Sequence, residues 1–415
     1  MTLVDDATGI RHPIVSPPAR VPPTAADPSG IVHASVARDD RPDRSAGGGV
    51  GHDAEAAEAA AVGEALERFA ATHASIIVRT ASELERGGHR VVRLADYTLH
   101  SAGQRSRPEF PHAASYPVLG AGDDEWCTPV FDLLTNEPCW VPAALVSLTD
   151  TYGALATSSG LAAAPSVMTA LLRATQELVE RDAYVTTWLH QLGGREVATP
   201  PVGFGRLGEE MRVFDLTPAF SPHRVAMVTG SEPQGGCARV SVGLAARASW
   251  TEAVDKAALE CVQGIVFAGH LLAQRPDLRD MHTTEVTGFD EHAVFYSANP
   301  PWWDAIPIHR FAIAAEAPGD SAVHGCGHGS ELTELVHALA TNGVDLYYRE
   351  LSTPDVRQLG MRVVRVVAPA LTPLHHDHRW PFLGGRSADV IWRYPDAARR
   401  GSGRPWPSPF PHALG

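Results

Sequence analysis

The sequence predicts an α/β (α+β) fold of mixed sheets and long helices, and three observations carry that expectation. Strand-like and helix-like runs alternate through the second half of the chain, three stretches keep helical periodicity for about twenty residues or more, and the strand-like runs are short and bounded by Gly and Pro.

Residues 1–50 are rich in Pro, Asp and Gly and end in Ser45-Ala-Gly-Gly-Gly-Val-Gly51. They read as an extended arm without a helix. From Asp53 to about His73 an Ala- and Glu-rich run has high helix propensity, with Ala57, Ala61, Leu66 and Phe69 on one stripe. Between 88 and 150, β-type runs at Arg90–Leu94 and Trp140–Val146 are separated by Pro and Gly turns. A second helix is expected from about Pro165 to Leu192, opened by Pro165-Ser166 and closed near Gly193-Gly194. The strand-like Ala238–Ala245 leads into a third helix, from about Trp250 to Leu272, where Ser249 and Glu252 have capping-box spacing. Strands are expected at Phe311–Ala315, Val344–Leu351 and Met361–Ala368, with a helix over Glu331–Leu339. Prolines at 405, 407, 409 and 411 predict an extended, stiff tail. The chain thus divides into an arm over 1–50, a folded body over 51–403 and a proline-spaced tail over 404–415.

With 44% apolar and 20% charged residues in 415, the composition is that of a chain that folds around its own core. A formal net charge of −14 leaves no basic stripe for a nucleic-acid backbone. Nucleotide phosphates are a different case, since they need only local cations, a divalent metal and a few backbone amides. Five scattered cysteines without a Cys-x-x-Cys pair suggest neither a disulfide framework nor a zinc knuckle. No apolar run of membrane-spanning length and no signal peptide is apparent, so the expected place is the cytoplasm, away from membranes.

Each long helix carries two oxygen-bearing side chains three residues apart: Glu64 and Glu67, Glu177 and Glu180, Glu260 and Gln263. That spacing puts both on one helical face. Arg68 and Arg181 lie four residues after the first Glu of their pairs, and Lys256, the only lysine in the chain, lies four before Glu260. On one helix such a face is ordinarily a solvated surface. Repeated on three, it points to a shared site in which hard oxygen ligands suit Mg²⁺ and the cations suit phosphate. No P-loop, kinase signature or dinucleotide fingerprint is present, so a nucleotide would be held by acids through metal. Gly47–Gly51 could offer amides to a phosphate, although plain turns have the same composition.

The chain resembles the YcaO family. The resemblance rests on Ser158-Ser-Gly-Leu-Ala-Ala163 leading into Gln176-Glu-Leu-Val-Glu-Arg-Asp-Ala183, on Asp6-Ala-Thr-Gly-Ile10, Gly63-Glu-Ala-Leu-Glu-Arg68 and Lys256-Ala-Ala-Leu-Glu-Cys-Val-Gln263. It extends to Glu350-Leu-Ser-Thr-Pro-Asp-Val356, Leu359-Gly-Met-Arg-Val-Val-Arg-Val366 and the proline-spaced end. It implies a YcaO fold with long helices converging on an ATP/Mg²⁺ site without a P-loop, formed by the body over 51–403. The nucleotide and metal residues it implies are Glu64, Glu67, Arg68, Ser159, Glu177, Glu180, Arg181, Lys256, Glu260 and Gln263, with the five glutamates on the metal. The tail is similar to that of the azoline-forming cyclodehydratases, which implies that it reaches the active site, with catalytic parts for Pro411 and Gly415. The implied activity makes thiazoline or oxazoline rings from Cys, Ser or Thr of a ribosomal precursor peptide.

A separate leader-peptide-binding partner, a flavin-dependent azoline dehydrogenase and a homodimer are among the assemblies the resemblance suggests. Thioamide or amidine formation is the alternative within the class. A non-catalytic docking scaffold is the alternative outside it, kept open by Val50 and Ala60, where the family often has lysine and serine. Ser159, Lys256 and Ala413 also depart from the common pattern.

Elsewhere, His375-His376-Asp377-His378 contains metal-ligand types without helical spacing and reads as a polar loop, as does His324-Gly-Cys-Gly-His328.

Overall fold

The computed structural model describes residues 3–8, 14–21, 31–36, 46–111, 124–149, 155, 157–234, 237–401 and 403–415. Gly9 and Ile10 of the first motif, and Ser45 before the glycine run, lie outside them.

The described residues of the arm carry more regular structure than its composition suggests. Helix α1 (Leu3–Thr8) corrects the expectation of a helix-free segment, and β1 (Ala19–Val21), β2 (Val32–Val36) and β3 (Gly47–Gly51) form an antiparallel sheet. Tertiary burial overrides local propensity here, because Ala7 of α1 joins the apolar cluster built on the first long helix. That helix, α2 (Ala54–His73), starts where Asp53 Oδ1 accepts from the Ala56 N–H at 2.8 Å, and it buries the predicted stripe Ala57, Ala61, Leu66 and Phe69.

The glycine run is a strand rather than a turn, since only glycine lets β3 lie this close to α2. A Cβ at Gly49 would sit 2.0 Å from the Ala57 carbonyl oxygen, and one at Gly47 would sit 2.2 Å from that of Ala61. Gly49→Ala is therefore expected to destabilise the chain by about 3 kcal/mol, the upper end for overpacking. Urea unfolding measures this, and an unchanged midpoint would contradict the packing described.

Two larger sheets follow. Strands β4 (Arg79–Thr80), β5 (Trp126–Asp132), β6 (Pro138–Pro142) and β7 (Leu161–Ala164) combine with β13 (Tyr347–Glu350) and β14 (Arg362–Val367) in the order β4-β5-β13-β14-β7, with β6 beside β5. The second sheet runs β11-β10-β9-β8-β12, from β8 (Arg195–Val197), β9 (Arg212–Asp215), β10 (Arg224–Gln234), β11 (Cys237–Arg247) and β12 (Ile313–Ala315). The mixed-sheet α/β architecture is the one expected. Arg90–Leu94 is not a strand, however. It makes a single bridge, Val91 to Trp140, and then a 3-10 turn over Leu94–Asp96. Arg93 explains the departure: its N–H donates to Asp96 and its guanidinium is claimed by Glu85 and Asp124, a local alternative to ladder pairing.

The second long helix, α3 (Val167–Leu189), is capped by Ser166 Oγ, which accepts from the Thr169 N–H at 3.1 Å. It lies between β14 and β7 on one side and β11 on the other, and is buried along most of its length. The third, α4 (Trp250–Gln274), packs on β10 and β11 and touches β3. Its expected capping box does not form. Asp320 Oδ1, distant in sequence, accepts from the Trp250 N–H at 2.7 Å instead. By length and composition α4 could cross a membrane, contrary to the reading that no run is long enough, but its buried residues line the core against β10 and β11. Helices α5 (Phe289–Ala298) and α6 (His328–Thr341) complete the body, and residues 404–415 form neither helix nor strand.

Candidate active site

Because α2 touches β3 and β7, α3 touches β7 and β11, and α4 touches β3 and β11, the shared strands bring the three acidic helix faces to one junction. Four of the five carboxylates are then fixed from the backbone. Glu64 Oε2 accepts from the Gly48 N–H at 2.7 Å, and Glu67 Oε1 from that of Ala163 at 2.8 Å. Glu177 Oε2 accepts from the Gly160 N–H at 2.9 Å, and Glu180 Oε2 from that of Ala246 at 3.1 Å. Four carboxylates are thereby held at one oxygen each, with the second turned to a cation or left for a ligand.

The cations stand where the helical spacing puts them. Arg68 Nη2 meets Glu64 Oε1 at 2.5 Å, Arg181 Nη2 meets Glu177 Oε1 at 3.5 Å, Arg181 Nε lies 3.7 Å from Glu180 Oε1, and Lys256 Nζ lies 3.2 Å from Glu260 Oε1. Gln263 closes the gap between α4 and β3, its amide nitrogen 2.6 Å from where a Cβ on Gly48 would be. The Gly48 amide is occupied by Glu64, so at that position the glycine run serves the carboxylate and not a phosphate.

Electrostatics tie the three helices together. Burial, then repulsion from Glu177 and Glu64, pushes the Glu67 carboxyl well above the usual range. Burial also raises Glu177, with Glu260 opposing its charge. Burial, followed by the charge of Glu260, pushes Glu180 up to about 8. Such a cluster holds protons until a cation replaces them. Mg²⁺ affinity is accordingly expected to fall about tenfold or more per pH unit below about pH 8, as an ion at this junction displaces protons from the raised carboxyls, Glu180 among them. Calorimetry in two buffers of different ionisation heat measures that release, and binding without it would contradict the assignment of Glu180.

One side chain at the junction escaped the sequence reading. Arg365 of β14 is buried, donates to the carbonyls of Ser159 at 2.6 Å, Thr157 at 2.9 Å and Val146 at 3.3 Å, and faces Glu177 and Glu67 with its charge. Burial pulls its pKa down to about 10, which leaves it charged at neutral pH. A lone arginine inside the apolar run Val363-Val-Arg-Val-Val367 is the signal that could have found it. Through Arg365 the loop carrying Ser159 is anchored beside the carboxylates.

The tail occupies a neighbouring position. Tyr296 donates to the Pro411 carbonyl at 2.5 Å, Trp188 donates to that of Phe410 at 2.9 Å, and Gly415 sits against Phe289 and Ala293 of α5. Among the described residues, none of the five glutamates bonds to 404–415. Their link is Tyr184 of α3, whose hydroxyl accepts from the Ala413 N–H at 2.8 Å and whose pKa, raised by burial, feels Arg181.

Residues 48–372 match the model of a protein family described as YcaO cyclodehydratase, ATP- and Mg²⁺-binding. No curated protein sequence matches the chain. Among solved structures, a heterocyclase in complex with substrate and cofactor aligns at TM-score 0.68 and 19% identity, over 99% of this chain and 57% of its own. The YcaO protein of Methanopyrus kandleri, bound with AMPPCP and Mg²⁺, aligns at TM-score 0.63 and 18% identity over 92% of this chain and 91% of its own. The E. coli microcin synthetase McbBCD complex contains a chain that aligns at TM-score 0.62 and 14% identity over 95% of this chain and 97% of its own. At these identities the likeness concerns the fold, and the chain spans little more than half of the first heterocyclase.

Proposed function

The chain belongs to the YcaO cyclodehydratase family, whose members bind ATP and Mg²⁺, and from that premise we propose that it forms thiazoline or oxazoline rings in a ribosomal precursor peptide. The observation that carries this reading is the junction of five carboxylates from three helices, four of them held by backbone amides and faced by Arg68, Arg181 and Lys256. Glu64, Glu67, Glu177, Glu180 and Glu260 would hold the metal. Arg68, Arg181, Lys256, Gln263 and the Ser159 loop would meet the nucleotide, the compact ammonium of Lys256 fitting beside a phosphate where a planar guanidinium would crowd. When bound, Mg²⁺–ATP supplies the phosphoryl group that turns an amide oxygen into a good leaving group.

In this reading a Cys, Ser or Thr side chain of the substrate adds to the preceding backbone carbonyl, whose oxygen departs with phosphate, so the peptide loses one water per ring. Pro411 and Gly415 would act from the tail, held next to α3 through Tyr184. A cytoplasmic setting, a precursor peptide and a separate leader-binding protein complete the proposal, with an azoline dehydrogenase as a later partner. Support for a peptide and partner proteins comes from the microcin synthetase complex, which has also been solved with pro-MccB17 bound.

The test incubates the full chain with ATP, Mg²⁺, its candidate peptide and the leader-binding protein, and reads mass and ATP turnover. Loss of water with Lys256→Met turning over ATP more slowly is the expected result. Oxygen-to-sulfur exchange would move the reading to thioamide formation, and an unchanged mass without turnover would move it to a docking scaffold.

A further inference from the structure

The polar loop His375-His376-Asp377-His378 acquires partners that its sequence neighbourhood could not show. His375 is buried beside His292 of α5 and His412 of the tail, and each ring offers a nitrogen within 4.8 Å of the others. Three segments distant in sequence thus place three imidazoles in one buried pocket.

Their hydrogen bonds decide where the lone pairs point. His292 Nδ1 lies 2.8 Å from the His412 carbonyl oxygen, and His412 Nε2 lies 2.7 Å from that of His375. A carbonyl only accepts, so these two nitrogens carry the protons, and Nε2 of His292 and Nδ1 of His412 keep their lone pairs, that of His412 accepting from the Leu414 N–H at 3.4 Å. Nε2 of His292 and Nδ1 of His375 are both buried without a hydrogen-bond partner. The His376 carbonyl borders His292 and acts on its charge as a hydrogen-bond acceptor does, although it stands outside bonding geometry to that Nε2. His292 thus has one N–H fixed by a carbonyl and its other nitrogen open, as a metal-ligating imidazole has, while at His412 a metal would take the place of the Leu414 N–H. His378 repeats the pattern, its Nε2 3.2 Å from the Pro409 carbonyl oxygen and its ring 6.5 Å from that of His292. Burial pushes all three pocket rings far below the usual imidazole range, so they are neutral, the form that binds metal.

We propose that His292, His375 and His412 bind one divalent transition-metal ion of the zinc class, which clasps the C-terminal segment to α5 and to the loop after β14. All-nitrogen ligation selects this class over Mg²⁺, whose ligands are oxygens, so the ligand set is distinct from the carboxylate junction, and a metal on His412 would hold the tail that carries Pro411 and Gly415. The rings of His292 and His412 now lie face to face, 3.6 Å apart and 4° from parallel. Ligation therefore turns His292 out of the stack, and the bond from its Nδ1 to the His412 carbonyl is given up for the metal.

The test uses the untagged full chain, stripped of metal and returned to millimolar Mg²⁺. Added Co²⁺ is expected to bind one equivalent with the intense visible bands of tetrahedral nitrogen ligation, Zn²⁺ to displace it, and zinc to slow proteolysis of residues 404–415. His292→Gln and His375→Gln are expected to lose the bands while keeping the far-ultraviolet circular dichroism of the parent, and Glu177→Gln to retain them. Absence of the bands in the parent chain, as a pocket filled by water would give, overturns the proposal. So does their persistence in both histidine variants.

Discussion

Glu180→Gln is expected to abolish Mg²⁺-dependent nucleotide binding while making the metal-free protein more stable at pH 8. The two effects have one cause. Burial and the charge of Glu260 raise the Glu180 carboxyl from 4.5 to about 8. Between those values the folded chain binds a proton that the unfolded chain does not, so stability falls as pH rises through the window and is lowest above it. An amide at this position still accepts from the Ala246 N–H, carries no charge to desolvate, and removes that part of the pH dependence. It also removes a proposed metal ligand, and turnover is expected to fall about 100-fold or more, since the ion supplies several kcal/mol of charge stabilisation. Titration calorimetry with AMPPCP and Mg²⁺, alongside thermal unfolding at pH 6 and pH 8 without metal, reads both. A variant less stable than the parent at pH 8 would mean that Glu180 supports the fold rather than burdening it, and intact binding would remove it from the metal.

Local helix geometry sets how much of this site could be read beforehand. The i, i+3 acids and their i, i+4 cations are local facts of helix geometry, so Glu64, Arg68, Glu177, Arg181, Lys256 and Glu260 are visible in the chain itself. So are the three long helices, which end within about three residues of the expected places. What periodicity cannot supply is the set of amides that hold the acids. Gly48, Gly160, Ala163 and Ala246 belong to strands or strand edges whose positions depend on sheet order, and Ala163 lies 96 residues from the glutamate it serves. Distance in sequence likewise hid Asp320 at the start of α4 and the histidines gathered around His375. The helix at Leu3–Thr8 and the missing strand at Arg90–Leu94 are the converse case, where a tertiary contact or a side-chain network outweighed composition.

The largest loss of stability is expected from Arg393→Leu. Asp182, next to Arg181 on α3, is fully buried against a fully buried Arg393. Arg393 Nε lies 2.8 Å from Oδ2 and Nη2 lies 2.6 Å from Oδ1. The Thr372 N–H donates to Oδ1 at 2.7 Å, and Arg393 Nη1 donates to the Arg386 carbonyl at 2.7 Å. Removing the guanidinium leaves a carboxylate in the core with one amide for company, a change that costs about 3–5 kcal/mol. The site should feel it, because this pair fixes the rotation of α3 two residues from Glu180 and one from Arg181, and nucleotide affinity is expected to drop with stability. Replacing both partners, Asp182→Leu with Arg393→Met, leaves no unpaired charge and is expected to recover much of the lost stability. Chemical denaturation of the two variants, with calorimetry of AMPPCP binding, separates the contributions. If the double replacement regains stability but not affinity, the pair aligns α3 for its ligands. If Arg393→Leu unfolds at the parent's denaturant concentration, the pair anchors nothing.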